Sequence, residues 1–254
     1  MQTRPLTILL GTTLAFIAAC TTVQRPEPPA NGTIARTVRG ELDCRTLDKG
    51  DPCGREEWTL TVQTDGSRTM RTFFDGGRDS QQINVVYRSD ASFRFLEAFS
   101  NAYSKGELIG SGFYAADGDG LEVVTRSARG LHAERLPVTE PYSVLLHPPS
   151  LDGWHFGRYD RARGGPQPVS TFVFGAVDGG PRVAAFPITL EFVGHERITV
   201  PAGTFDTDHY RFGCNTDVWI MGADHIMVRH EYRTSGTRFE LGRIAGPVVN
   251  RGAS

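Results

Sequence analysis

Lysine is nearly missing from this 254-residue chain: of 27 basic residues only Lys49 and Lys105 are lysine, and the arginines are spread along the sequence against 29 acidic residues. A balanced, unclustered charge gives no basic stripe for a polyanion, so no nucleic-acid partner is expected. Metal-ligand spacings are missing too. The seven histidines form no HExxH-type motif, the cysteines form no CxxC, and His225 and His230 would fall on opposite faces of a strand, so no metal is expected. There is no GxSxG elbow, and Gly110-Ser111-Gly112 lies in a strand-like run with no sequence-visible base. No glycine-rich turn opens a helix, so no phosphate cradle and no cofactor is expected. Long helical periodicity is absent, and beyond the first twenty residues no run is apolar enough to span a bilayer.

Those first residues stand apart from the rest. Arg4 is their one charge, an apolar run extends from Leu6 to Phe16, and small residues precede Cys20. This pattern is an export signal, too short to remain as a transmembrane helix. Ile17-Ala18-Ala19-Cys20 resembles the bacterial lipobox, in which the cysteine becomes the first mature residue and carries acyl chains; an ordinary signal peptide cut after an Ala-rich site is the alternative. The resemblance implies membrane anchorage through lipid on Cys20. Thr21 in place of Asp implies the periplasmic side of the outer membrane. Residues 20–37 then read as a polar, Pro-rich tether (Arg25-Pro26-Glu27-Pro28-Pro29). Residues 38–246 are expected to form one β domain, and 247–254 a frayed tail.

With Cys20 committed to lipid, an odd number of cysteines remains for an oxidising compartment. Cys44 and Cys53 flank a polar, turn-rich stretch and are the favoured disulfide. Pairing of Cys214 with either, or no pairing, are the alternatives. A nucleophilic Cys214 would need a base and an exposed thiolate; a small buried side chain would need neither.

Beyond Gly54, short runs of alternating apolar and polar residues are punctuated by Asp-Gly, Gly-Gly and Ser-Gly pairs, the signature of antiparallel strands and tight turns. Glu57 to Gln63 places Trp58, Leu60 and Val62 on one face, Asp65-Gly66 turns the chain, and Thr69 to Phe74 returns as a hairpin. Further strands are expected at 82–88, 93–99, 106–115 and 121–127, although Phe95, Leu96 and Phe99 also fit a helical period. From Pro137 to Pro168 prolines interrupt the pattern, giving a crossover or lid with a short helix expected from Pro141 to His147. Strands resume at 169–177, 187–193, 196–200, 206–212, 217–221, 226–233 and 238–244. The expected fold is therefore all-β: a strongly curved antiparallel meander, half-open barrel or sandwich, with at most short helices.

The stretch Glu196-Arg197-Ile198-Thr199-Val200-Pro201-Ala202-Gly203-Thr204-Phe205-Asp206-Thr207, with Asp217-Val218-Trp219-Ile220 and Val228-Arg229-His230-Glu231 after it, resembles the closing part of an uncharacterised family of exported bacterial β-sheet proteins. That family carries a "VPAGTFDT"-like turn, a "(D/Y)xWI" strand and a "(V/P)VRxE"-like strand. The likeness covers about the last fifty residues. It implies a curved sheet similar to half-open barrels that hold lipids or lipoprotein acyl chains, and says little of chemistry.

Strand alternation puts His209 and Arg211 on one face with Phe205. In a suitable register Asp217, Trp219 and Arg229 would join them, giving an imidazole, a carboxylate, two guanidiniums and an aromatic wall; a one-residue slip reverses this, leaving cross-strand pairs on a solvated face. Trp154 and His155, together in the irregular crossover, are a second candidate set, or a plug for the open end of the core. The expected function is a lipid-anchored, non-enzymatic domain binding an apolar or amphipathic small molecule in the concavity of its sheet. The supply of phenylalanines, among them Phe73, Phe95, Phe99 and Phe113, supports this reading. The alternatives are an enzyme (lyase, isomerase or hydrolase) with His209 or His155 as base and Arg229 or Arg211 at an oxyanion, and a structural lipoprotein recruiting a partner through a sheet edge.

Overall fold

Period-two alternation governs almost the whole of the computed structural model, which describes residues 32–77, 81–177 and 180–250. The strands are β1 (Ile34–Thr46), β2 (Pro52–Gln63), β3 (Arg68–Asp75), β4 (Gln81–Ser89), β5 (Phe95–Ser104), β6 (Glu107–Asp117), β7 (Gly120–Ser127), β8 (Gly130–Pro137) and β9 (Tyr142–Leu145). A helix α1 (Pro149–His155) separates these from β10 (Gln167–Val177), β11 (Gly180–Val200), β12 (Gly203–Phe212), β13 (Thr216–Met221), β14 (Ile226–Tyr232) and β15 (Thr237–Ala245). In β2, Glu56, Trp58, Leu60 and Val62 are buried while Arg55 and Glu57 are exposed, so the sheet has one inner and one outer face.

These strands form one 15-stranded sheet in the order β8-β7-β6-β5-β4-β3-β2-β1-β15-β14-β13-β12-β11-β10-β9. Neighbours are antiparallel except β9 and β10, where Ser170–Val173 runs parallel to Tyr142–Leu145. The two ends of the domain thus meet at the sheet's centre, where β1 pairs β15.

The sheet curls around α1 without closing into a barrel. Trp154 meets Tyr87 of β4 edge-on at 5.7 Å, while Phe156, just past the helix, stacks on Tyr210 of β12 at 4.6 Å. Strands far apart in sheet order therefore touch one short segment, every residue of which is buried. Burying Leu151, Trp154 and Phe156 contributes about 2–3 kcal/mol each. A helix of seven residues has no independent stability. Pro149 pre-sets its first turn, and its N-cap Pro148 supplies no side-chain cap. Instead Glu56 of β2 accepts the Ser150 N–H at 3.1 Å.

Several expectations need correction. The helix expected at 141–147 is strand β9, and the real helix starts one proline pair later. Ser143-Val144-Leu145 reads as extended chain once β10 is available beside it. Phe93 is a turn residue with φ 60°, ahead of β5, not the start of a strand. Within the expected tether, β1 already begins at Ile34, because Arg36 folds inward onto Asp224. Nor is the tail loose as far as it is described, since Val249 O accepts the Ala223 N–H at 2.8 Å. Cys44 and Cys53 are disulfide-bonded across β1 and β2, with Cα atoms 5.0 Å apart, and Cys214 is a free, exposed thiol. The signal segment and Cys20 lie outside the described residues.

Candidate functional site

Register decides the first candidate set. Gly194, His209, Trp219, Arg229 and Glu240 form one row across β11, β12, β13, β14 and β15, and Glu191, Arg211, Asp217, Glu231 and Arg238 form the next. His209, Arg211, Asp217, Trp219 and Arg229 therefore share the outer face. His209 Nδ1 lies 2.7 Å from Glu196 Oε1, and Nε2 lies 2.9 Å from Asp217 Oδ1. Its ring stacks on the Trp219 indole at 4.3 Å, and the indole N–H donates to Glu196 Oε2 at 2.8 Å. That indole bond, with help from His209, holds the Glu196 carboxyl below the usual carboxylate range. The bulge between Phe192 and Gly194 leaves a glycine opposite His209, so Glu196 can fold back onto the ring.

Every cation in these rows already faces a carboxylate. Arg211 bonds Glu191 at 2.9 Å, Arg229 bonds Glu240 at 2.8 Å, Arg238 bonds Glu231 at 2.8 Å, and Arg233 pairs with Asp217. This is a self-neutralised ladder. Its exposed pairs are worth about 0–1 kcal/mol each, and its buried centre is Asp217.

Trp154 and His155 stand on the other side of the sheet, inside the curl. The Trp154 indole N–H donates to Asp224 O at 3.1 Å. His155 stacks on Phe212 at 5.4 Å and its Nδ1 hydrogen-bonds Ser143 Oγ. His155 Nε2 is 3.5 Å from Asp152 Oδ1, and His230 Nε2 is 3.0 Å from Asp152 Oδ2. Burial is the largest single influence on Asp152 and pushes its pKa up. The hydrogen bonds and charges of His155 and His230 together outweigh it and bring the carboxyl to about 2. Glu56 is the opposite case. Burial outweighs the hydrogen bonds from Ser150 and Thr72 and raises its carboxyl to about 7. Serine, histidine and aspartate thus stand in nucleophile–base–acid order, but all three are buried, and none lines the cleft at the rim of the inner face or the groove of the outer face. Among those residues no group of three or more His, Cys, Asp or Glu could hold a metal ion.

A cleft of about 880 Å³ opens at the rim of the inner face. In β12, Asp208 alternates with Tyr210 and Phe212, which pack on Phe156, so Asp208 is the last inward side chain before the rim. His195 of β11 pairs directly with it, and Ile220 of β13 flanks its other side. Arg161, in the loop after α1, donates to Asp208 Oδ2 at 3.0 Å and to His195 Nε2 at 3.2 Å. Its guanidinium lies 4.0 Å from the Phe192 ring centroid. Because arginine only donates, His195 Nε2 is an acceptor, and Nδ1 carries the proton toward Asp208 Oδ1 at 2.7 Å. Ile220 and Met221 add an apolar wall.

Sequence reading passed over Arg161, His195 and Asp208. Asp208 precedes His209 and looked like its alternating neighbour on the far face. Arg161 sits in an irregular loop that no periodicity can place.

No protein-family model matches the sequence, and no curated protein matches it. Two solved structures are similar in fold. A β-barrel-like protein of domain of unknown function DUF1849 from Brucella abortus aligns with TM-score 0.48 and 13% identity, over 84% of this chain and 98% of that one. A DUF1089 family protein from Pseudomonas aeruginosa aligns with TM-score 0.41 and 15% identity, over 70% of this chain and 88% of that one.

Proposed function

We propose that this chain is an exported, lipid-anchored binding domain that takes an amphipathic small molecule in the cleft at the rim of its curved sheet. The observation that carries the reading is the cleft's composition: a hydrogen-bonded Arg161–His195–Asp208 set beside Phe192, Ile220 and Met221. Most of the remaining lining is polar, with Glu196, Arg197 and Asp206 beside that set and Phe205, Ile220 and Met221 as its apolar part, a make-up that suits the polar head of an amphipathic ligand. The concavity itself, where the sequence suggested the ligand would lie, is occupied at its centre by α1, so the rim replaces it.

An enzyme reading through His155 lacks access, because His155 and Ser143 are enclosed, and in the outer-face ladder His209 is held between Glu196 and Asp217 while Arg211 and Arg229 are paired with Glu191 and Glu240. Native mass spectrometry of the chain beginning at Thr21, purified from its own host and followed by organic extraction, tests the proposal. A bound amphiphile is expected that is lost from Arg161→Ala while the fold persists. A clean apo mass together with no thermal shift against fatty acids, lysophospholipids and bile-type detergents would refute it.

A further inference from the structure

The outer face of the first half of the sheet carries a second ordered feature. Reading one row strand by strand from β15 to β8 gives Ala245, Arg39, Thr59, Arg71, Val86, Phe99, Phe113, Val124 and Ala133, each directly paired with the next. Cations and apolar side chains are segregated along it. Val86, Phe99, Phe113 and Val124 are 38–44% exposed, and the neighbouring row adds Phe73 and Leu131. Soluble proteins rarely leave so contiguous an apolar stripe unused.

The charge beside the stripe is predominantly basic. Arg39, Arg71 and Arg126 have no carboxylate partner among the described residues, in contrast to the arginines around Asp217, and Glu57 is the single exposed acid in the two rows that faces no cation there. Between Arg39, Arg71 and Arg243 the face dips into a groove of about 640 Å³ floored toward Phe73 and Val86, in which Glu41 pairs with Arg243 and Glu57 is the other acid, leaving Arg39 and Arg71 as its unpaired cations. The row on the other side of the stripe neutralises itself, with Arg88 bonded to Glu97 at 2.6 Å.

From this placement we infer that the outer face of β1 to β7 is a docking surface for a bilayer leaflet bearing anionic headgroups. Arg39, Arg71 and Arg126 would meet phosphates, and Phe99 and Phe113 would enter the interface between headgroups and acyl chains. Free guanidiniums next to half-exposed aromatics match a surface that is anionic outside and apolar beneath. The inference is independent of the cleft's ligand and of the anchor at Cys20.

The described residues from Gly32 onward form a compact unit by themselves, so the chain beginning at Thr21 can be tested without lipid. Co-sedimentation is measured with large vesicles of phosphatidylcholine alone and of phosphatidylcholine with about one-third phosphatidylglycerol. Binding to the anionic vesicles is expected, weakening with salt. Arg39→Glu with Arg71→Glu should remove the preference for phosphatidylglycerol, at least a tenfold loss at about fivefold per charge. Phe99→Asp with Phe113→Asp should weaken binding at least tenfold at every lipid composition. These side chains point away from the core, so both variants should melt as the parent does. Three results would overturn the inference: no binding to either vesicle, binding unchanged in both variants, or a concentration-dependent dimer that both variants abolish, which would make this face an interface between copies.

Discussion

Replacing Glu56 by Gln isolates the pH dependence that burial of one carboxyl imposes. Its carboxyl, raised from 4.5 to about 7 in the folded chain, is fully buried against the first turn of α1. A carboxyl whose folded pKa is raised contributes its stability fully below the unfolded pKa. That contribution is lost as pH climbs from about 4.5 toward 7, because the unfolded chain gives up the proton first. The difference corresponds to about 3 kcal/mol at 1.36 kcal/mol per pKa unit. Glutamine mimics the protonated form. Its oxygen accepts the Ser150 N–H, and its amide donates to the Ser150 and Thr72 hydroxyls, which now hold Glu56 as donors. Urea unfolding followed by tryptophan fluorescence, with the disulfide intact, should be measured for both proteins at pH 4.5 and pH 7.5. The stability gap should shift by about 3 kcal/mol in favour of Glu56→Gln at the higher pH, equivalent to roughly 6–12 °C in melting temperature for a domain of this size. All other titrating groups are common to both proteins, so they cancel in the double difference. An equal pH dependence in the two proteins would refute the reasoning outright.

Other expectations follow from named contacts. Reducing the Cys44–Cys53 bond, which closes a loop of sequence separation 9, should lower stability by roughly 2–3 kcal/mol by the loop-entropy argument, read as a lower urea midpoint in dithiothreitol. Asp217→Asn should cost about 3 kcal/mol or more, since this buried carboxylate faces His209, Arg211 and Arg233 together; a change within about 0.5 kcal/mol would mean the ladder is ornamental to stability. Cys20→Ser in the full chain should move the protein from the membrane pellet to the soluble fraction of its host and abolish metabolic labelling with palmitate. Retention in the pellet with labelling intact would overturn the lipid anchor.

What was legible in the sequence depended on range. The β2–β3 hairpin could be read because Trp58, Leu60 and Val62 and the Asp65-Gly66 turn lie within one short window. The rows through His209 and Asp217 could be read as a possibility, but only pairing across four strands fixed their register. The helix was placed one proline pair too early because both Pro141 and Pro149 offer a helix start. The choice between them is made by Glu56, nearly a hundred residues upstream. Phe73, Phe99 and Phe113 counted toward the aromatic supply behind the binding reading, yet they face outward. Alternation says which residues share a face, never which face is inside when both carry aromatics.

The buried polar set behind α1 and the cleft at the rim are coupled through one short piece of chain. Asp152, His155 and His230 form a buried polar set where a plug of leucines would hold the core at least as well, since burying charges costs desolvation that packing does not. Such a set stabilises one placement of α1 rather than maximising stability. The chain leaves α1 through the 3-10 turn Phe156–Arg158 and within a few residues reaches Arg161, whose guanidinium is clamped between Phe192 and Asp208. The position of α1 therefore sets the position of the cation at the cleft. If that link holds, Glu56→Gln should change the pH profile of ligand retention as well as that of unfolding. Arg161→Ala should remove retention while leaving the unfolding profile as it was. A Glu56→Gln protein with altered stability and an unaltered retention profile would show that the plug and the cleft act separately.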